Sequence, residues 1–289
     1  MVIIGLVNIQ KIKSLIIGSS LNSLRHQHIA RILFSDSEIK DILSKNKVNE
    51  IYDELKTLEF DDFEDEEMEI YDIDTPTIKG NAIIVYNPRL ISIGYSDFLE
   101  KGEKTSEIAR KNNAIAAING GGFKYGKDIK EPMGVVIHDG KIIYNELKDN
   151  DVKQDIVGFT KDGMLIVGKH SINELKKINI KEAVTFGPPL IVNGKTVNIE
   201  GDGGWGIAPR TAIGQRENGT VILMTLQGRS LKTIGATIKD VQEQMIKFGA
   251  VNATNLDGGN SATMIYNGKI VNKREKKEIN VPTAIMVKK

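Results

Sequence analysis

Two textures of apolar and polar positions follow one another along this 289-residue chain. In residues 14–58 apolar side chains recur at helical spacing. Ile29, Ile32 and Leu33 fall on one stripe, and Ile39, Ile42 and Leu43 on another. Ser35 or Ser37 suits the cap of the second helix, because a hydroxyl there accepts from an otherwise orphaned backbone N–H. From Pro76 onward the apolar runs shorten and turns separate them. Five Asn-Gly or Asp-Gly pairs begin at Asp139, Asp162, Asn193, Asn218 and Asn267. Asn and Asp tolerate the positive φ of a tight hairpin turn, and Gly has no Cβ to resist it. Strand-forming neighbours such as Val135-Val136-Ile137 and Lys141-Ile142-Ile143 make each pair a hairpin. Two helices interrupt this half. One runs from about Thr105 to Lys111. The other starts at an N-cap, Thr237, and buries Ile238, Val241, Met245 and Phe248 before Gly249 stops it. The class expected is α+β: a mixed, largely antiparallel sheet with several hairpins, two or three packed helices and an N-terminal helical segment.

Between the textures lies an acidic run, residues 59–69, whose like charges repel and favour a solvated connection. The expected organisation is therefore an N-terminal helical segment at 1–58, an acidic linker at 59–75 and a main domain at 76–289.

Charge and composition narrow the function classes. The 39 basic and 38 acidic residues nearly cancel, so no global field calls for nucleic acid. The absence of cysteine removes disulfides, thiolate metal sites and a cysteine nucleophile. No run approaches the ~18 apolar residues that a membrane span needs. The start is apolar through Val7 but is soon interrupted by Lys11 and Lys13, and a complete signal peptide is not visible. An ordinary first element and a trimmed membrane anchor both remain open.

The candidate chemistry lies in a repeated phrase. After the helix at 105–111 come Ala114-Ile115-Ala116-Ala117-Ile118 and then Asn119-Gly120-Gly121-Gly122-Phe123. After the helix at 237–248 come Val251-Asn252-Ala253-Thr254 and then Asn255-Leu256-Asp257-Gly258-Gly259-Asn260-Ser261. The expectation is two parallel strands side by side, with both glycine loops at one edge, where open sheets bind ligands. Glycines let the backbone turn its N–H groups toward an anion, although they equally make tight turns. Asp257 could serve as nucleophile, general base or cation ligand, or could brace its own turn. Asn255, two residues earlier, would share its face. Arg210 opens an apolar strand and offers a planar fork suited to phosphate. Residues 201–206 read as a flexible flap whose Trp205 could stack on a sugar. His26 and His28 sit on the N-terminal helix, where structural hydrogen bonding is the commoner role. No metal or cofactor is expected.

Taken in order, 119–123, Pro209-Arg210-Thr211-Ala212-Ile213-Gly214, Gly235-Ala236-Thr237 and 255–261 resemble the phosphodiester glycosidase family, as does Phe186-Gly187-Pro188-Pro189-Leu190. The resemblance implies hydrolysis of the C1–O bond of a sugar-1-phosphodiester in a cell-surface glycan or exopolysaccharide. It implies catalytic roles for Asp257, Arg210 and Asn119. Substrate contacts are implied for Gly120, Gly121, Thr211, Asn255, Gly258, Gly259, Asn260, Ser261 and His26. Asp240 and Asp202 are the only other carboxylates near these phrases. The segment carrying His26 is similar to one that commonly follows a membrane anchor in bacterial members, which implies an extracytoplasmic location. Two departures stand out: Lys277-Glu278-Ile279-Asn280 where members tend to show an Arg, and Gly122 as a third glycine. A non-catalytic glycan-binding protein and a phosphodiesterase cutting P–O are the competing readings. The latter would want clustered carboxylates and histidines.

Overall fold

In the strand Lys79–Val85, Ile83 and Val85 enter one core while Ala82 and Ile84 enter another, so both faces are buried. The same division recurs throughout and explains the architecture. The computed structural model describes residues 2–22, 27–51, 60, 68–126, 129–228, 235–274 and 276–288. Six helices occur among these: α1 Val2–Leu21, α2 Gln27–Leu33, α3 Asp36–Ser44, α4 Thr105–Lys111, α5 Ile172–Lys177 and α6 Ile238–Lys247. Three larger sheets, of seven, five and five strands, turn their inner faces toward a common core. Leu223 and Leu256 come from the seven-stranded sheet, Val157 and Val184 from the second, and Ile118 and Ile285 from the third. Each outer face is covered by one helix. α6 covers the first sheet with Ile238, Val241 and Met245, α5 the second with Ile172 and Leu175, and α4 the third with Ile108 and Ala109. Fully burying one such aliphatic side chain contributes about 1.5–3 kcal/mol, an upper figure because unfolded chains already bury some surface.

The helix starts follow from side-chain chemistry. Thr237 caps α6 and shares a capping box with Asp240, whose Oδ2 accepts from the Thr237 N–H at 2.7 Å. Asp240 is thus a helix cap and not a spare catalytic acid. Ser35, of the two candidate serines, caps α3 with Glu38. All five expected hairpins form, with two geometries. Asn or Asp and Gly both take positive φ at Asp139, Asn193 and Asn267. At 162–163 and 218–219 only the glycine does. There a longer loop closes, with the Gly219 N–H donating to the Arg216 carbonyl and Arg216 N–H to Thr220.

Three expectations need correction. Every pairing among the described strands is antiparallel, so the sheet is not mixed. The two strands expected side by side, Ala116–Asn119 and Ala250–Leu256, lie in different sheets. The stripe Ile29, Ile32, Leu33 is not a core face: Ile32 and Leu33 are 74% and 58% exposed, and Ala30 is the buried residue of α2. The acidic stretch 61–67 lies outside the described residues. Met68–Asp74, placed in the expected linker, is an edge strand paired with Lys79–Val85. Among the described residues no helix is long and apolar enough to cross a membrane.

Candidate active site

Each sheet receives a strand directly from its covering helix: Ala116–Asn119 after α4, Ile180–Thr185 after α5 and Ala250–Leu256 after α6. A left-handed residue makes the turn between helix and strand in all three, namely Asn113, Asn179 and Gly249. Each strand is third in its sheet, so its far end points at the junction of the three sheets. The ends are tied together. Asn119 Nδ2 donates to the Asp257 carbonyl at 2.6 Å, Gly122 N–H to Thr185 at 3.0 Å and Asn255 Nδ2 to Gly187 at 3.3 Å. The two glycine loops therefore meet, as expected, although their strands are not neighbours. The third unit, ending at Phe186, has no Asn-Gly phrase, and its place in the pattern is visible only in the fold.

This junction floors a cavity of about 360 Å³, lined by Asp257, Asn255, Ser261, Phe186, Trp205 and Tyr125 among others. Among the described residues Asp257 is the only acid in that lining. Its Oδ2 is shut from solvent and has no hydrogen-bond partner. Burial pushes its carboxyl up to about 6, against the pull of the Ser261 hydroxyl and the Gly258 N–H. Asn255 Oδ1 is likewise buried without a partner. Gly258, Gly259 and Asn260 also border the cavity. Beside it lies a groove of about 150 Å³ bordered by Lys273, Arg274 and Lys276, and the two share Pro209, Gly259, Asn260 and Lys276. Arg274 Nη1 reaches the Ala262 carbonyl and the Thr263 hydroxyl, and Nη2 donates to Asn260 at 2.7 Å, while Nε is buried without a partner. Burial lowers its guanidinium, and Glu278 opposes that shift.

A family model described as phosphodiester glycosidase matches residues 112–288, well over half of the chain. The chain belongs to the phosphodiester glycosidase family. SPbeta prophage-derived uncharacterized protein YomE of Bacillus subtilis is 29% identical over 180 residues, 59% of this chain and 27% of that protein. The human N-acetylglucosamine-1-phosphodiester alpha-N-acetylglucosaminidase is 27% identical over 191 residues, 57% of this chain and 34% of the enzyme. The chain thus spans about a third of the length of these curated relatives. The zebrafish enzyme's catalytic domain, a structure titled as auto-inhibited by its pro-peptide, superposes with a TM-score of 0.65 at 21% identity. The match covers 77% of this chain and 83% of that one, and it shows the shared fold.

Within this member of the phosphodiester glycosidase family the structure redistributes several expected roles. Asn119 is 1% exposed, and its Oδ1 accepts from the Thr211 hydroxyl at 2.8 Å and Thr263 N–H at 3.1 Å. Asn119 therefore holds the Asp257 backbone, Thr211 holds Asn119, and neither lines the cavity. Gly120 and Gly121 spend their N–H groups on the Thr283 carbonyl and hydroxyl, so the first loop is no anion nest. Arg210 donates Nε to Ala236 and Nη2 to Trp205 and Gly206, at 3.2, 2.9 and 2.6 Å. Burial pulls its guanidinium down to about 10 while Asp202 and Asp240 hold it up. It borders the cavity, with Nε and Nη2 bracing the turn that carries Trp205.

That turn is not a free flap. Asn22 Nδ2 holds the Gly204 carbonyl at 2.8 Å, the Ser19 hydroxyl accepts from Ile207 N–H at 3.0 Å, and Asn46 Oδ1 accepts from Asp202 N–H at 3.3 Å. Asp202 Oδ1 in turn accepts from Gly204 N–H, while its Oδ2 is buried without a partner, and Asp202 does not border the cavity. The N-terminal helices thus form part of the site wall. His26 lies outside the described residues. The cations Arg274 and Lys276 carry no motif of their own in the sequence, and their place at the cavity border is visible only in the fold. Among the described residues His138, Asp139 and Glu182 could together hold a metal, but Glu182 already accepts from His138 and the Ile93 N–H. None of the three borders the cavity.

Proposed function

We propose that this chain hydrolyses the C1–O bond of a sugar-1-phosphodiester carried on a glycan or glycopolymer, with Asp257 as the reacting carboxylate. The observation that carries this reading is a half-buried carboxylate, the one acid among the described residues that line an aromatic-walled cavity beside a cationic groove. Ordinary glycosidases use two carboxyl groups because an alcohol leaves only when protonated. A phosphodiester leaving group departs as a phosphate monoester that already holds the negative charge, so one carboxylate suffices and cations replace the acid. The glycosyl unit sits over Asp257 against Trp205 and Phe186, with Asn255, Asn260 and Ser261 toward its hydroxyls. The phosphate lies toward Arg274 and Lys276. As the C1–O bond breaks, its electron pair leaves with the phosphate. Water supplies the new C1–O bond and its proton passes to Asp257, or Asp257 attacks C1 first and water releases the sugar. The anomer of the freshly released sugar, read by NMR, distinguishes the two. The relatives' names support an N-acetylglucosamine phosphodiester as the first substrate to try.

The test is release of free sugar from a synthetic α-N-acetylglucosamine-1-phosphodiester, with chelator added in parallel. Release that persists in chelator and disappears in Asp257→Asn is the expected result. Release of an intact sugar-1-phosphate would mean P–O cleavage and would overturn the reading.

A further inference from the structure

Behind the Phe186–Trp205 pair lies a second hollow of about 540 Å³, shallower and more open to solvent than the Asp257 cavity. Both volumes fall in the ~300–1,000 Å³ range of small-molecule sites. The two rings meet edge to face at 6.0 Å and line both spaces. The order of spaces along the surface follows from shared walls. The cationic groove adjoins the Asp257 cavity through Gly259, Asn260 and Lys276, and the Asp257 cavity adjoins the hollow through Phe186 and Trp205. The groove and the hollow share no residue. A phosphate in the groove and a glycosyl unit over Asp257 therefore leave the hollow on the side away from the leaving group.

We propose that this hollow is a second sugar subsite, for the unit attached to the non-reducing side of the glycosyl group over Asp257, so that the bond cut lies within a chain and not at its end. The inference rests on the hydrolase reading for its direction, and on its own geometry for the ligand class. The hollow's chemistry suits a neutral sugar. Trp205 and Phe186 give apolar ring faces on one side, and Asp155 presents a carboxylate on the other. Asp155 is half-buried: its Oδ1 is closed to solvent with no hydrogen-bond partner, and the rest of the carboxylate is what a ligand hydroxyl can meet. Burial raises the Asp155 carboxyl, Glu50 raises it further, and Lys169 opposes them. Glu50 is paired with Lys169 at 2.8 Å, which leaves Asp155 and Lys47 to balance in the lining, so no cationic cluster awaits a phosphate among the described residues there. The outer wall comes from Leu43, Asn46, Val48 and Glu50, beyond the 112–288 span that the family model matches. The N-terminal segment thereby gives this chain a chain-length preference of its own.

Trp205 is the only tryptophan of the protein, and its fluorescence reports on both spaces. The probes are the methyl phosphodiesters of α-N-acetylglucosamine-1-phosphate and of the disaccharide bearing a second N-acetylglucosamine on O4. Both are titrated into full-length Asp257→Asn protein, where neither is consumed. One charge-assisted hydrogen bond and ring stacking predict about tenfold tighter binding of the disaccharide. That advantage disappears when Asp155→Leu is added, and also when Met133→Tyr narrows the hollow from its exposed rim. Asp155→Leu does not lower the melting temperature, since Oδ1 has no partner to lose. Equal affinity for the two probes, an advantage that survives both variants, or no Trp205 response to either probe overturns the subsite. Turnover of the monosaccharide diester by the unsubstituted protein judges the hydrolase reading separately.

Discussion

In the loop after Ala116–Asn119, the N–H groups of Gly120, Gly121 and Gly122 all end on protein oxygens, and Asn119 is bonded on both its amide oxygen and nitrogen. In the loop after Ala250–Leu256, Asp257 keeps one oxygen unbonded, Asn260 is exposed, and Gly259 and Ser261 border a cavity. The phrases that look alike in sequence therefore do opposite work. The first is a peg that enters from the third sheet and fixes the Asp257 backbone. The second borders the cavity, where the proposed substrate would sit. A carboxylate can be kept desolvated and poised only if the chain beside it is held still, and the first loop supplies that hold.

The strongest way to break this comparison is Asp257→Asn. Loss of the reacting carboxylate should lower sugar release at least ~10³-fold, roughly 4 kcal/mol in the transition state. The fold should gain stability, because a carboxyl raised to about 6 destabilises the folded protein wherever it is ionised. The sign is specific. The penalty is absent below the unfolded Asp value near 4, grows as pH rises between about 4 and 6, and is full above that, reaching at most about 3 kcal/mol. Urea titrations at pH 4 and pH 7.5 should show the unsubstituted protein losing stability relative to Asp257→Asn over that interval. A parallel pH dependence for both proteins would return Asp257 to a solvated, structural role. If Asp257 must be ionised to react, turnover should rise with pH through a limb near 6.

Next in size is Gly120→Ala in the peg loop. Its Cβ would stand 2.5 Å from Thr283 Oγ1 and 3.0 Å from the Thr283 carbonyl carbon, so the strand Thr283–Val287 would have to shift. Overpacking of this kind costs about 1–3 kcal/mol. Sugar release should fall only as far as the Asp257 backbone moves. Melting and turnover measured on one preparation separate the two, and a variant that melts normally but has lost activity would make the first loop a ligand site after all.

Smaller effects divide the two arginines. Arg274→Gln removes its bonds to Ala262, Thr263 and Asn260 as well as a charge beside the phosphate, so turnover should fall on both substrates, and about 10–100-fold further on a phosphodiester than on a neutral nitrophenyl glycoside. Arg210→Gln removes donors from three carbonyls, at Trp205, Gly206 and Ala236, so losses on the two substrates should be equal and accompanied by lower stability. Equal losses for Arg274→Gln would move the phosphate elsewhere.

Much of this was legible before the fold. The five Asn-Gly and Asp-Gly turns, the Thr237 cap and the helix Thr105–Lys111 rest on local geometry that a few residues settle among themselves. What escaped depends on partners distant in sequence. Nothing near Ala116–Asn119 says that it pairs with Met264–Tyr266 and Thr283–Val287 in a sheet of its own. Nothing near Arg210 says that three carbonyls will occupy it. Ile32 and Leu33 show the limit of periodicity, since a stripe on a seven-residue helix is core only if something packs over it.

The smallest expected effect tests the comparison most directly, because it uses the same substitution in the second loop. Gly259 has φ +59°, and a Cβ there would meet nothing within 4 Å. Gly259→Ala should therefore cost only the left-handed backbone preference, about 1 kcal/mol, with no packing penalty. Its N–H bond to the Pro209 carbonyl at 2.7 Å can survive, so the loop keeps its shape and the added methyl projects into open space at the cavity border. The consequence should appear in substrate binding more than in melting: KM for the phosphodiester rises a fewfold, while kcat, which depends on Asp257, changes little. Gly120→Ala should show the reverse, a clear loss of melting temperature with KM near normal. If Gly259→Ala instead melted as badly as Gly120→Ala, the second loop would be as tightly packed as the first, and the division between a peg and a ligand surface would fail.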